Sequence, residues 1–159
     1  DAANQLKEIH QTDTTGLLTA AFVYDANGGL IQKCEGSGVT TTTSSCTGST
    51  TGNFVYDALS HLVQANKTGQ ASQAYVYDDQ GRRISKSVGS VTTAFLYNGP
   101  DIVAEYANTW AAPIAQYTHG PNQDDPIERI TPTLAQYFHQ NGIGSVVAVN
   151  DCSLRKWFV

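Results

Sequence analysis

The sequence predicts an all-β protein, in which antiparallel β-hairpins repeat at a short and regular interval and stack into one continuous twisted sheet. Three observations support this prediction. A tyrosine recurs at a constant interval, at Tyr77, Tyr97, Tyr117 and Tyr137. Turn-forming residues follow most of these tyrosines, and no stretch has the length and pattern of a helix. A period of about 20 residues is too short for a pair of helices but suits one two-stranded unit per repeat.

Two earlier tyrosines extend the series, and three of its members precede an aspartate. The pairs are Tyr24-Asp25, Tyr56-Asp57 and Tyr77-Asp78. An aspartate carboxylate can accept hydrogen bonds from backbone N–H groups of a turn, so we interpret it as the residue that fixes the turn. We interpret the tyrosine rings as buried core and cross-strand packing. The alternative is an exposed aromatic row that lines a sugar-binding face.

Each repeat is expected to contain an approach strand, a tight turn and a return strand. In four repeats an aromatic residue stands two positions before the tyrosine, and therefore on the same face. These approach strands are Phe22-Val23-Tyr24, Phe54-Val55-Tyr56, Tyr75-Val76-Tyr77 and Phe95-Leu96-Tyr97. The last two, Ala115-Gln116-Tyr117 and Ala135-Gln136-Tyr137, carry alanine there. The turns place Asn or Gly where a positive φ is cheap. They include Ala26-Asn27-Gly28-Gly29, Asp79-Gln80-Gly81, Asn98-Gly99-Pro100 and Gln140-Asn141-Gly142.

Composition and charge argue against two kinds of partner. Charged residues make up 14% of the 159 residues, the formal net charge is −5, and no basic cluster exceeds a pair, so we expect no nucleic-acid surface. No stretch approaches the roughly 18 apolar residues of a membrane-spanning helix. The absence of Met and of a signal peptide, and the likeness of Asp1–Leu6 to the segments after Tyr24 and Tyr56, predict a piece of a longer protein.

The three cysteines suggest one disulfide. Cys34 and Cys46 bracket a Gly-, Ser- and Thr-rich insert, which makes the interval from Tyr24 to Tyr56 longer than the others. We expect a disulfide that closes this 34–46 insert in an oxidising compartment and contributes about 2–3 kcal/mol. Two free thiols are the alternative, and a metal pair is least supported because no histidine or CxxC spacing accompanies them. Cys152 is predicted to be a buried small hydrophobic residue or, failing that, an intermolecular link.

No catalytic, metal or cofactor site is expected. His119 and His139 each follow a repeat tyrosine by two residues, so adjacent hairpins could stack them, but we favour polar side chains near turns. No base accompanies Cys152, and no GxSxG-like elbow is present. Asn66-Lys67-Thr68 matches a glycosylation sequon. An oxygen-rich loop lacks the EF-hand spacing and is interpreted as solvated. Its members are Asn122, Asp124, Asp125 and Glu128.

The Tyr-Asp turns resemble the YD repeat of Rhs and teneurin-type proteins. The strongest match is Tyr77-Asp78-Asp79-Gln80-Gly81-Arg82-Arg83-Ile84. The segments Phe95 to Tyr106, Tyr117 to Pro121 and Tyr137 to Val146 are similar to stretches late in Rhs-family cores, in the same order. The end of the chain departs from that family's closing segment. No self-cleaving aspartate motif and no toxin can therefore be assigned, and residues 150–159 form an atypical tail.

This resemblance implies a β-sheet strip that spirals into a hollow shell around a toxin or other cargo, in a secreted or cell-surface protein. We therefore predict that residues 1–159 form a single repeat array with a non-catalytic structural role. Its partners would be neighbouring repeats of a longer parent chain, or other copies of itself. Two other functions stay open. One is a self-assembling extracellular filament subunit, because sheet ends expose unpaired backbone groups. The other is a module that binds cell-surface glycans through exposed aromatic residues.

Overall fold

A computed structural model describes residues 5–11, 16–122 and 125–153, and within these ranges all regular structure is β-strand. The fifteen strands are β1 (Glu8–His10), β2 (Leu18–Tyr24), β3 (Leu30–Glu35), β4 (Thr40–Thr41), β5 (Cys46–Thr47), β6 (Thr50–Tyr56), β7 (Leu62–Lys67), β8 (Gln73–Tyr77), β9 (Arg83–Val88), β10 (Val91–Asn98), β11 (Asp101–Ala107), β12 (Pro113–His119), β13 (Pro126–Ile130), β14 (Leu134–Gln140) and β15 (Val146–Ser153). Among these residues no helix could cross a membrane.

Thirteen strands form one sheet in the order β1-β2-β3-β6-β7-β8-β9-β10-β11-β12-β13-β14-β15. Strands that follow one another in the chain therefore lie side by side, as in a series of hairpins. The exception is the step from β3 to β6, because β4 and β5 form a separate two-stranded ribbon. The predicted all-β fold of stacked antiparallel hairpins is confirmed. The described residues divide into two compact units, one reaching to Val76 together with Ser87–Gly89, and the other comprising Tyr77–Lys86 and the residues from Ser90 onward.

In the first unit, the core lies between the sheet and the 34–46 insert. A disulfide joins Cys34 and Cys46, the pair that the sequence indicated, with their Cα atoms 6.0 Å apart. The ribbon of β4 and β5 packs across one face of β2 and β3. Ala21, Val23 and Val39 are buried there together with both cysteines. The insert therefore supplies a second layer, which allows complete burial at this point of the sheet.

In the second unit, the buried side chains are small. Ala104, Ala115 and Ala135 are 5%, 1% and 1% exposed. Contacts between its described elements run from each strand to its neighbours in the sheet, without a second layer like the insert. Larger apolar side chains on such a sheet are covered only by neighbours on the same face. Leu96 and Ile114 accordingly remain 45% and 38% exposed.

Two predictions of burial are wrong. None of the six repeat tyrosines belongs to the core, because five are half-buried and Tyr137 is exposed. A ring on one face of a sheet without a second layer keeps contact with solvent. Cys152 was expected to be buried but is exposed and free, because β15 pairs with β14 alone among the described strands. Residues 150–153 continue β15, and the rest of the predicted tail lies outside the described residues.

Candidate functional site: the tyrosine and aspartate hairpins

Four hairpin loops share one hydrogen-bonding pattern. In each, a side-chain oxygen of Asp or Asn accepts hydrogen bonds from the backbone N–H groups two and four residues later. The two distances are 2.9 and 2.7 Å for Asp25, 2.9 and 2.8 Å for Asp57, 3.0 and 2.8 Å for Asp78, and 3.1 and 3.0 Å for Asn141. The backbone N–H of the same residue donates to the carbonyl four residues later. One residue thus closes each loop, which is the role that the sequence indicated for the three aspartates.

The fourth residue of each loop has a left-handed backbone conformation. The φ angles are +87° at Gly28, +66° at Ser60, +76° at Gly81 and +81° at Gly144. Glycine adopts this conformation freely, whereas the Cβ of Ser60 makes it less favourable. In that loop Asp57 is also 3.0 Å from Nδ1 of His61. The backbone N–H of His61, helped by its side chain and by the N–H of Leu59, holds the pKa of Asp57 below its usual value.

The sequence revealed the Asn141 loop only in part. Gln140-Asn141-Gly142 was predicted to turn, but its equivalence to a Tyr-Asp loop was missed because Gln140 stands where the tyrosine normally precedes the aspartate. A signal was nevertheless present. Asn141 is followed after three residues by Gly144, the same spacing that separates Asp25 from Gly28.

The tyrosine hydroxyls connect successive hairpins. The Tyr56 hydroxyl donates to the carbonyl of Leu30 at 3.2 Å, and the Tyr97 hydroxyl donates to the carbonyl of Arg83 at 3.0 Å. Leu30 and Arg83 occupy the same place, because each lies five residues after the aspartate of the preceding hairpin. Tyr24 makes a similar bond to the carbonyl of Leu6 at 2.9 Å. Tyr56 and Tyr97 therefore each hold the return strand of the hairpin before their own.

The hairpin of Asp78 is fastened to the hairpin of Tyr97 by a further cluster. Nε of Arg82 donates to Oδ2 of Asp78 at 2.7 Å, and its Nη1 donates to the carbonyl of Gly99. The guanidinium lies 5.0 Å from the centre of the Tyr97 ring. Burial alone would raise the pKa of Asp78, but hydrogen bonds from the backbone and side chain of Arg82 and from the N–H of Gln80 hold it below its usual value. The ionised carboxylate is thus part of the link between the two hairpins.

A row of polar side chains crosses β11 to β15. The Tyr117 hydroxyl donates to Oε1 of Glu105 at 2.5 Å and accepts a hydrogen bond from Nε of Arg129 at 3.1 Å. Nη1 of Arg129 donates to Oε1 of Gln136 at 3.0 Å, and Nε2 of Gln136 donates to Oδ1 of Asp151 at 3.1 Å. Burial, together with the hydrogen bond to Glu105, raises the pKa of Tyr117. The side chains satisfy one another, so the row serves cross-strand packing.

Tyr117 and Tyr137 lie on opposite faces of the sheet despite their regular spacing. Residues directly opposite each other in antiparallel strands share a face. Tyr117 is opposite Arg129, which is opposite Gln136, so Tyr137 points to the other side. There Tyr137 is opposite Glu128, and a hydrogen bond to that carboxylate raises the pKa of Tyr137. An aromatic row that includes all six tyrosines is therefore excluded.

The same register separates the two histidines. His119 follows Tyr117 by two residues and shares its face, whereas His139 shares the face of Tyr137. His119 is half-buried and His139 is exposed. The stacked arrangement that their spacing suggested is therefore wrong, and no step in stability from their mutual repulsion is expected.

The oxygen-rich loop does not assemble a metal centre in the part of the chain that is described. Asp124 lies outside the described residues. Nδ2 of Asn122 donates to Oδ2 of Asp125 at 3.4 Å, and the Thr118 hydroxyl donates to Oε2 of Glu128 at 3.5 Å. Within the described ranges, no group of three or more His, Cys, Asp or Glu side chains could hold a metal ion.

The comparison with protein families agrees with this geometry. The family described as Teneurin YD-shell matches residues 2–155. The chain belongs to this family. The resemblance of its Tyr-Asp turns to Rhs and teneurin-type repeats is thereby confirmed, and the repeated loops above are the structural form of those turns. The described residues of this YD-shell chain form a scaffold, because the recurring side chains bind backbone groups of the sheet itself.

A solved structure has the same fold. The crystal structure described as TcdB2-TccC3-Cdc42 matches this YD-shell chain with a TM-score of 0.55 and 11% sequence identity. The match covers 92% of this chain but 8% of that chain, so the YD-shell chain spans a small part of its structural relative. At this level of identity the likeness concerns the fold alone. No curated protein matches the sequence.

Proposed function

We propose that this chain is a non-catalytic segment of a secreted or extracellular β-shell of the Rhs type, which encloses a toxin or other cargo. Membership of the YD-shell family and the fold likeness to TcdB2-TccC3-Cdc42 support this role. The disulfide between Cys34 and Cys46 fits an oxidising compartment. The partners of the segment would be neighbouring repeats of a longer parent chain and the enclosed cargo.

The observation that carries this proposal is the hydroxyl link from one hairpin to the one before it. Tyr56 and Tyr97 each hold the start of the preceding return strand. A hairpin by itself buries too little surface to be stable, so each unit depends on its neighbours. Links of this kind favour a strip that is extended by adding hairpins, and the wall of the proposed shell requires such a strip.

Limited proteolysis of the parent protein, with the sequence on both sides of this chain, tests the shell. The cargo segment should be cleaved slowly in the intact parent and rapidly when it is made alone. In a Tyr56→Phe and Tyr97→Phe double variant of the parent, the protease should cleave the cargo segment faster, because two links between hairpins are removed. Tyr137→Phe is the matched control, since this residue lies outside the series of links, and should leave protection unchanged. Equal cleavage of the cargo in the parent and alone would contradict the proposal.

A self-assembling extracellular filament is the second candidate, and β15 is the element that favours it. All eight residues of β15 are exposed, including Val146, Val147 and Val149. The strand has no hydrogen-bonded neighbour beyond β14 among the described residues. An exposed apolar edge strand is a template for pairing with another strand.

Sedimentation velocity over a range of concentrations tests the filament. A filament subunit should form species that grow with concentration, and Val147→Lys should prevent this growth by placing a charge on the edge strand. Val55→Lys places the same charge on an interior strand of the sheet and should leave the growth intact. A monomer at every concentration would exclude the filament.

A further inference from the structure

Trp110 is an exposed aromatic residue that packs against a second ring. It lies between β11 and β12 and is 64% exposed. Its ring centre is 4.8 Å from that of Tyr106, and the two planes meet at 45°. Together the rings form one wall of a cleft of about 120 Å³. The contact with Tyr106 holds the Trp110 ring beside a second ring while most of its surface stays open to a ligand.

The segment that carries Trp110 is anchored at both ends. The N–H of Thr92 donates to Oδ1 of Asn108 at 2.8 Å, and the N–H of Asn108 donates to the carbonyl of Thr92 at 2.7 Å. Asn108 has a φ of +51°, a conformation that Asn tolerates better than most residues. On the other side, Pro113 is paired with Tyr106 in the sheet. The aromatic wall is therefore formed before any ligand arrives, which lowers the entropic cost of binding.

The polar groups around the cleft are neutral. Its lining consists of Thr92, Ala94, Tyr106, Asn108, Thr109 and Trp110. Because Oδ1 of Asn108 is used by the backbone of Thr92, its Nδ2 group is left to donate to a ligand. Charged ligands find no counter-charge among these six residues. The cleft is also smaller than the roughly 300–1,000 Å³ of sites for drug-sized molecules, which limits a ligand to about one ring.

We propose that this cleft binds one pyranose ring of a neutral glycan. The apolar C–H face of the sugar would pack against Trp110, and its hydroxyls would exchange hydrogen bonds with Asn108 and Thr109. A proline-rich peptide could also pack on an aromatic wall, but its proline residues offer carbonyl acceptors and no N–H donors, whereas each sugar hydroxyl can both donate to and accept from the groups beside the wall. The assignment is independent of the shell, and it uses aromatic residues outside the series of repeat tyrosines.

Saturation-transfer NMR on the intact chain tests the assignment, because it detects ligands that bind with millimolar affinity. The probes are a β-1,4-linked glucose tetramer, a β-1,4-linked N-acetylglucosamine trimer, an α-mannose trimer and decaproline. We expect at least one of the saccharides to bind saturably. Trp110→Ala should weaken that binding by about tenfold or more. Tyr137→Phe, which alters an exposed tyrosine outside the cleft, should leave it unchanged. Circular dichroism and the thermal unfolding midpoint of Trp110→Ala should match those of the parent chain.

Three outcomes would overturn the assignment. The first is that no saccharide of the panel binds, and the second is that Trp110→Ala binds as tightly as the parent. The third is binding of decaproline alone with the same dependence on Trp110, which would make the cleft a peptide site. None of these outcomes bears on the shell, whose test is the protection of cargo from proteolysis.

Discussion

Replacing Asp25 with alanine tests whether one side-chain oxygen closes the repeated loop. Oδ1 of Asp25 accepts hydrogen bonds from the N–H groups of Asn27 at 2.9 Å and Gly29 at 2.7 Å, and alanine removes both. With about 1 kcal/mol for each bond, the free energy of unfolding should fall by about 2 kcal/mol. The unfolding midpoint should fall by about 4–8 °C for a chain of this size. Urea and thermal unfolding, followed by far-UV circular dichroism, measure both changes.

Asp25→Asn is the matched control, because it keeps the accepting oxygen and removes the charge. The chain contains its own precedent, since the amide oxygen of Asn141 makes the same two bonds at 3.1 and 3.0 Å. The free energy of unfolding of the asparagine variant should therefore fall by less than about 0.5 kcal/mol. A loss as large as that of the alanine variant would refute the reasoning, because the charge and not the acceptor would then close the loop. An alanine variant as stable as the parent would refute it as well.

Three further predictions use the same unfolding measurements. Val23→Ala should lower the free energy of unfolding by about 2 kcal/mol, because the insert buries this side chain. Val55→Ala removes the same atoms at the equivalent but exposed place, and should lower it by less than about 1 kcal/mol. Equal losses would mean that the insert does not cover the sheet. Tyr56→Phe should lower the free energy of unfolding by about 1 kcal/mol, because it removes the hydrogen bond to the preceding hairpin. An unchanged free energy would contradict the proposed link. The lowered pKa of Asp78 means that its stabilisation is present above the usual value of 3.8 and is lost as the pH falls through the folded pKa. The urea midpoint of Asp78→Asn should therefore fall less steeply in acid than that of the parent, and identical slopes would show that Arg82 and the loop gain nothing from the ionised form.

The fold class and the loops were predictable because they depend on local chemistry. A Tyr-Asp pair followed by a glycine defines an approach strand and a turn within a short segment, as in those beginning at Tyr24 and Tyr77. The disulfide was predictable for a similar reason, since Cys34 and Cys46 frame a segment too polar to fold alone. Stacking of the hairpins then follows from the requirement that each unit pair with its neighbours.

The faces and the burial of the tyrosines could not be predicted in the same way. A shift of one residue in strand pairing moves a side chain to the other face. The pairing of β12 with β13 and of β13 with β14 places Tyr137 on the face opposite to that of Tyr117. Equal spacing in sequence gives no information about that shift. Burial depends on whether a second layer covers the sheet. The insert forms such a layer over Val23, whereas no described element of the second unit covers Tyr117 in this way. Cys152 is exposed for the related reason that it lies on a strand with one described neighbour.

Electron cryo-microscopy of the full parent protein tests the shell most directly. We predict that the thirteen strands of the sheet run as successive hairpins of one continuous strip, that further repeats adjoin both of its edges, and that the strip encloses density from another segment. A free-standing module without adjoining repeats and without enclosed density would contradict the proposed function.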